Sequence, residues 1–294
     1  MRGQKTTAFG MVIDMTGILN WKTESGKTNW YLVLGTGITG FVLSLIFIGL
    51  LHPPYDIEAM DTAHKFAGGS LRHLFGTDNF GRDVFSRVLA GGFTTMKIAA
   101  GTVAVGLLGG VLIGAVTGYF GGLTDELLMR INDTLFAFPS VLLALVIVSL
   151  FGSGTSHVIW ALGIAFVPSF ARMVRSEFLR YKNSDFIAGA KLQGAGALRI
   201  MTHHILPNAA PVLMSSVMIG FNNAVLAEAG LSYLGIGVQP PEPSLGSMLS
   251  EAQSYLVSAP LYAAGPGLMI IFMVLGFSLL AEGMSREQLS GAWF

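Results

Sequence analysis

Long apolar runs alternate with polar stretches along this chain, and the alternation predicts its architecture. Six runs approach the roughly 20 residues that a helix needs to cross the hydrocarbon core of a bilayer. They cover 31–51, 98–119, 134–151, 157–174, 209–228 and 261–282. The pattern predicts an all-α, polytopic membrane protein with about six transmembrane helices. It divides the chain into a segment 1–30, a first transmembrane helix 31–51, an external segment 52–97, a core 98–284 that includes a loop 175–208, and a tail 285–294. The stretch 229–260 is rich in Gly, Pro and Ser. No repeat of solenoid length and no low-complexity tail is visible.

Charge placement orients these spans. The segments assigned to one side carry Arg2, Lys5, Lys22, Lys27, Arg130, Arg172, Arg175, Arg180, Lys182, Lys191, Arg199 and Arg286. The opposite side carries Lys65, Arg72, Arg82, Arg87 and Lys97, partly offset by Asp56, Glu58, Asp61, Asp78 and Asp83. Lys and Arg favour cytoplasmic loops, so both termini and the 175–208 loop are expected in the cytoplasm. The first thirty residues are polar behind Arg2 and Lys5, and no cleavable signal peptide is expected.

Composition agrees. Only 12% of residues are charged and 52% are hydrophobic, against roughly 25% charged in an average soluble domain. The formal net charge is zero, so no bulk basic field points to nucleic acid. The absence of cysteine excludes disulfides, thiolate metal sites and a Cys nucleophile.

Gly106, Gly110, Gly114, Gly118 and Gly122 recur every fourth residue, with Thr102 preceding them. That spacing places small residues along one helix face, where two backbones can approach closely in lipid. The face serves either internal packing or contact with a second subunit. Pro139 and Pro168 fall inside the third and fourth spans, and each removes a backbone donor and can kink its helix.

Candidate chemistry is sparse. Ser25-Gly26-Lys27-Thr28 looks like the end of a phosphate-binding loop, but Trp21 stands where the leading Gly is required and no apolar strand precedes it. The chain is expected not to hydrolyse nucleotide. His203 and His204 point to different sides of a helix and cannot jointly ligate one ion. Asp133, Glu228 and Glu282 are placed near span ends, close to water. Span centres nearly free of ionisable groups argue against a proton- or sodium-driven carrier. No nucleophile elbow, zincin motif or intramembrane carboxylate pair is present. No catalytic residue, metal or bound cofactor is expected.

The segment 185–208 carries the strongest signal. Ser184 or Asp185 can cap a short helix reaching about Gln193, and Gly194 can close it in a left-handed turn. A second short helix can run over 195–205, with Pro207 in the first turn of the next span. Ala188, Gly189, Ala190, Gly194, Ala195 and Gly196 keep one side thin, while Phe186, Ile187, Leu192, Ile200 and Ile205 need cover. Arg180, Lys182, Lys191 and Arg199 can reach acidic groups on a partner or lipid phosphates. A groove on a partner and a lipid surface both remain open as the cover. In the external segment, Gly76 and Gly81 permit unusual backbone angles, and Asp78 and Asp83 can cap turns or a helix starting at Val84.

Gly189-Ala190, Gly194-Ala195 and His204-Ile205-Leu206-Pro207 resemble, in spacing, the cytoplasmic signature loop of ABC-importer permeases. Three further segments are similar to the dipeptide, oligopeptide and nickel branch of that family: His73–Arg87 with its Gly76-Thr77-Asp78 and Gly81-Arg82-Asp83, Leu127–Asp133 with Ala137-Phe138-Pro139, and Glu228–Gly246. The matches run from about His73 to Ala281 and look like the second of two unlike permease subunits. Ala188 replaces the signature's leading Glu, and Gln193 stands where an apolar residue is usual.

The resemblance implies the ABC type I importer permease fold and transport of di- or oligopeptides. Its partners would be a homologous permease, two cytoplasmic ATPases holding ATP and Mg, and an extracytoplasmic binding protein. Asp185, Ala188, Gly189, Ala190, Gly194, Ala195, His204, Leu206 and Pro207 would then form the ATPase-coupling surface. The 76–83 segment would support an external vestibule. A secondary carrier or channel, and a polytopic membrane enzyme, are the alternatives.

Overall fold

The computed structural model describes residues 28–291. The expected N-terminal segment through residue 27, with most of the Ser25–Thr28 motif, and residues 292–294 lie outside the described residues. The helices are α1 (Trp30–Leu51), α2 (Val84–Phe120), α3 (Gly122–Phe136), α4 (Ser140–Phe151), α5 (Thr155–Tyr181), α6 (Asp185–Leu192), α7 (Ala197–Arg199), α8 (Leu206–Tyr233), α9 (Leu245–Ala252) and α10 (Pro260–Gly291). Thr77 and Asp83 form one isolated antiparallel bridge. Five stretches are long and apolar enough to cross a membrane: α1, α2, α5, the continuous run from α7 through α8, and α10.

The run at 134–151 is not one straight helix; α3 and α4 together form a bent pair that makes a sixth span if counted as one. α3 stops at Phe136, α4 starts at Ser140, and the two axes meet at 86°. Pro139 stands at the break. It has no N–H to donate, and its ring disfavours helical backbone in the residue before it. The 12 residues of α4 rise only about 18 Å, short of the roughly 30 Å hydrocarbon thickness. Pro168 stays within α5, and its carbonyl accepts a 3.3 Å hydrogen bond from the buried Asn132 amide of α3.

α2 begins fourteen residues before the apolar run that reveals it, at Val84 rather than 98. Its 37 residues span about 55 Å. The first turns carry Arg87 and Thr94, which apolarity cannot flag, and both are buried, with α9 packed alongside. Asp83 caps this helix, accepting from the Ser86 backbone N–H at 2.7 Å.

The glycine stripe packs inside the subunit. α2 lies along α5. A Cβ on Gly118 would stand 2.6 Å from that of Phe178, and one on Gly114 would stand 2.7 Å from that of Val174. Gly106 and Gly110 meet Phe166 and Phe170 in the same way. Contact with a second subunit is therefore not what this face provides. Gly122 leaves the stripe altogether, because it opens α3 with φ 57° and open space beside it.

α1 packs on α10, and α10 on α8. Asn29 caps α1, and its amide donates to the Gly283 carbonyl at 3.0 Å, which pins the start of α1 to α10. α10 itself runs through residue 284 to Gly291. Two apolar cores result. The larger joins α1, α2, α4, α5, α8, α9 and α10. The smaller gathers Ala115, Val174, Phe178, Ile187, Ile200, Ile205, Ala209 and Leu213 at the end of the bundle where α6 sits.

Candidate functional site

The smaller core accounts for three of the apolar residues in the 185–208 loop. Ile187, Ile200 and Ile205 are fully buried against α2, α5 and α8, so the chain itself covers them. Phe186, Leu192 and Leu198 point the other way, and Leu192 is 90% exposed. These three are the residues left without cover.

α6 ends as its composition requires. Gly194 has φ +82°. Its N–H donates to Lys191 O, and the Ala195 N–H reaches back to Ala190 O, both at 3.0 Å. These two bonds make a Schellman cap, which needs a left-handed residue and so favours Gly. No heavy atom beyond its chain neighbours lies within 4 Å of a Cβ placed on Gly189, Gly194 or Gly196. Ala188 is exposed and Ala190 buried, so the small residues divide between an open and a packed side.

Two expectations for the loop need correction. Neither Ser184 nor Asp185 caps α6 through its side chain; the Ser184 hydroxyl donates to Tyr181 O at 2.6 Å instead. No separate second helix spans 195–205. α7 is one turn, Ile200–Ile205 is a wider π-type turn, and the chain passes directly into α8 at Leu206. Pro207 does sit in the first turn of α8. The His204 carbonyl accepts from the Asn208 amide at 2.6 Å, and His203 pairs with Thr202 at 2.7 Å. From Ala197 the chain therefore runs without a break into a helix long enough to cross a membrane.

The basic residues also divide. Lys182 donates to Gly118 O at 3.4 Å and Arg180 lies 3.7 Å from Glu177, so both face their own chain. Arg175 grips Asp125 with two 2.6 Å bonds, and Arg172 holds Asp133 at 2.7 Å while stacking on Phe136. These pairs clamp α3 to α5. Lys191 and Arg199 flank the exposed leucines and have no ion pair among the described residues.

At the opposite end, the 76–83 segment is ordered. Gly76 and Gly81 have φ 75° and 78°. The Asp78 carboxylate accepts from the backbone N–H groups of Phe80 and Arg82 and from Arg82 Nε at 2.6 Å. Arg82 then donates to Glu251 at 3.2 Å, and the Tyr262 hydroxyl donates to the same carboxylate at 2.7 Å. Arg87 lies 3.8 Å from both Asp78 and Glu251. Asp83 accepts from His73 at 2.8 Å and from the Ser86 hydroxyl at 2.6 Å, while Thr77 accepts from Ala67 N–H at 2.9 Å. The 76–83 segment is thus fastened to α9 and α10. Nearby, a hydrogen bond from His64 holds the exposed Asp61 carboxyl below the usual carboxylate range.

Glu228 is the residue that span-end reasoning misplaces. α8 continues to Tyr233, and Glu228 is wholly buried rather than near water. It accepts from the Thr95 hydroxyl at 2.8 Å and from Ser232 at 2.7 Å. Thr95 in turn accepts from the Leu245 N–H at the start of α9. The Ser232 partner is visible as an i,i+4 spacing; Thr95, far away in sequence, is not. Asp133 and Glu282 are exposed, as expected.

The described residues form a bundle of helices long and apolar enough to cross a membrane, with an exposed apolar shelf at one end and a braced loop at the other. Residues 110–286 match the family described as the binding-protein-dependent transport system inner membrane component. The chain is 38% identical to the dipeptide transport system permease protein DppC of Alkalihalophilus pseudofirmus, over 92% of this chain and 89% of that protein. It is 41% identical to the glutathione transport system permease protein GsiD of Pectobacterium atrosepticum, over 83% and 82%. The fold is similar to a chain of the inward-facing MetNI methionine ABC transporter, with TM-score 0.55, 18% identity, and 69% and 95% of the two chains covered. The chain belongs to the binding-protein-dependent inner-membrane component family and is a multi-pass permease subunit of an ABC importer.

Proposed function

We propose that this subunit forms half of a path for di- or oligopeptides, and that the shelf built by α6 and its Gly194 turn receives a cytoplasmic ATPase. The observation that carries the coupling role is the exposure of Phe186, Leu192 and Leu198, the last two next to Lys191 and Arg199 in sequence, on a loop whose other face buries Ile187, Ile200 and Ile205. Exposed apolar residues rimmed by polar ones mark protein contact sites. Peptides are proposed because two relatives that match most of the chain are named for dipeptide and glutathione transport. The complex would hold a homologous permease, two ATPases carrying ATP and Mg, and an extracytoplasmic binding protein. This chain itself would bind no cofactor. Both termini and α6 would lie in the cytoplasm.

In the mechanism we infer, ATPase closure pushes on α6. The motion passes through the π turn at Ile200–Ile205 into α8, whose outer end is tied to α2 and α9 through Glu228 and Thr95. Rigid-body rocking of packed helices then opens one end of the path as the other shuts. The reading is tested in proteoliposomes holding all five subunits. ATP-dependent uptake of labelled dipeptides, dependent on the binding protein, is expected. Uptake that proceeds without the ATPases, or of other solutes only, contradicts it.

A further inference from the structure

A groove of about 460 Å³ opens between α4, α5 and α8. Its size falls within the roughly 300–1,000 Å³ of small-ligand sites. Ser169 and Asn223 face it from near the middle of α5 and α8, and both are exposed. Ser140 and Ser216 add two more hydroxyls. Ser216 bonds back to Val212 O at 3.0 Å, whereas Ser169 and Asn223 have no side-chain partner among the described residues. The neighbouring Asn222 shows the contrast: it is buried and donates to Ser278 at 2.8 Å. At mid-membrane depth, an unpaired carboxamide against lipid is disfavoured, since no solvent there satisfies it. Such groups face water or a polar ligand. No charged residue lines the groove, and Phe166, Phe170 and Ile219 supply its apolar walls.

We propose that this groove is the section of the translocation path lined by this subunit, and that Asn223 and Ser169 bind the backbone amides of the passing peptide. This rests on the peptide reading above. A neutral lining of donors and acceptors complements a C=O and N–H pair, which every peptide carries. The absence of fixed charge leaves acidic and basic side chains undistinguished. On this subunit's side, the groove therefore does not sort peptides by side-chain charge.

The chain contains no cysteine, so Ser169→Cys and Asn223→Cys can be made singly in the five-subunit complex and read on this chain by mass. Both are expected to react with a membrane-impermeant thiol reagent, with reaction slowed by peptide-loaded binding protein and ATP. Leu112→Cys on the far face of α2 gives the reference. Cross-linking of position 223 to the second permease without reagent access overturns the proposal in favour of a subunit interface. Neither reaction nor cross-link overturns it in favour of lipid. In uptake, Asn223→Leu is expected to fall about fivefold, the worth of one hydrogen bond, equally for neutral, Lys-containing and Asp-containing dipeptides. Loss confined to one charge class overturns amide recognition. Ser169→Ala adds no volume and carries the same test where Asn223→Leu does not assemble. Wild-type vesicles that take up no peptide overturn the underlying peptide reading, whereas peptide uptake with an unreactive groove overturns the groove alone.

Discussion

Asp78 and Asp83 show how much a single carboxylate can organise. Asp78 is fully buried and is the nearest counter-charge for Arg82. Removing one member of a buried pair leaves an uncompensated charge at about 3–5 kcal/mol. Asp78→Ala is therefore expected to detach residues 52–83 from α9 and α10, seen as new protease cuts there and a lower unfolding temperature. Native proteolysis would show that the pairs contribute nothing. Asp83→Ala loses a helix cap worth about 1 kcal/mol and a partner of His73, so a smaller loss in the same assay is expected. The turn-forming role of these residues is legible from Gly and Asp spacing alone. The onward link from Arg82 to Glu251 and Tyr262 is not, because long-range pairing leaves no local pattern.

At the level of elements, the α2–α5 contact depends on missing side chains. Gly110→Leu or Gly114→Leu places a branched side chain where the α5 backbone already lies. Overpacking costs about 1–3 kcal/mol when neighbours can shift, and backbone atoms shift least. Low yield and aggregation are expected in detergent extracts; normal yield would mean the helices separate freely. The stripe is readable because its period matches a helix, but its partner face, built from Phe166, Phe170, Val174 and Phe178, looks like any apolar span. The α3–α4 break escapes a hydropathy reading for a related reason. A window spanning Pro139 averages two helices at 86° into one. The left-handed turn at Gly194 is legible from local residue types, whereas the fusion of 197–205 with α8 depends on the packing of Ile200 and Ile205.

For the whole molecule, the proposed orientation places Leu71 and Val257 outside and Leu192 inside. All three are highly exposed, so single Cys variants at these positions report sidedness. External reagent is expected to label Cys at 71 and 257 in intact cells and Cys at 192 only after lysis. The reverse pattern would invert the topology.

The central claim is that the α6 shelf transmits ATPase motion, and Gly194 tests it most directly. The site has open space within the subunit, so a side chain there fits the isolated chain apart from the cost of a positive φ. Gly194→Ala pays that backbone cost alone; Gly194→Glu adds bulk and charge that would meet a docked partner. Overlap of about 1–3 kcal/mol weakens docking roughly tenfold. The measurement is co-purification of the ATPases together with ATP-driven uptake for the two variants side by side. Gly194→Glu is expected to insert normally, lose its ATPases and abolish uptake, with Gly194→Ala retaining most of both. Full ATPase retention and coupled uptake by Gly194→Glu would contradict the account.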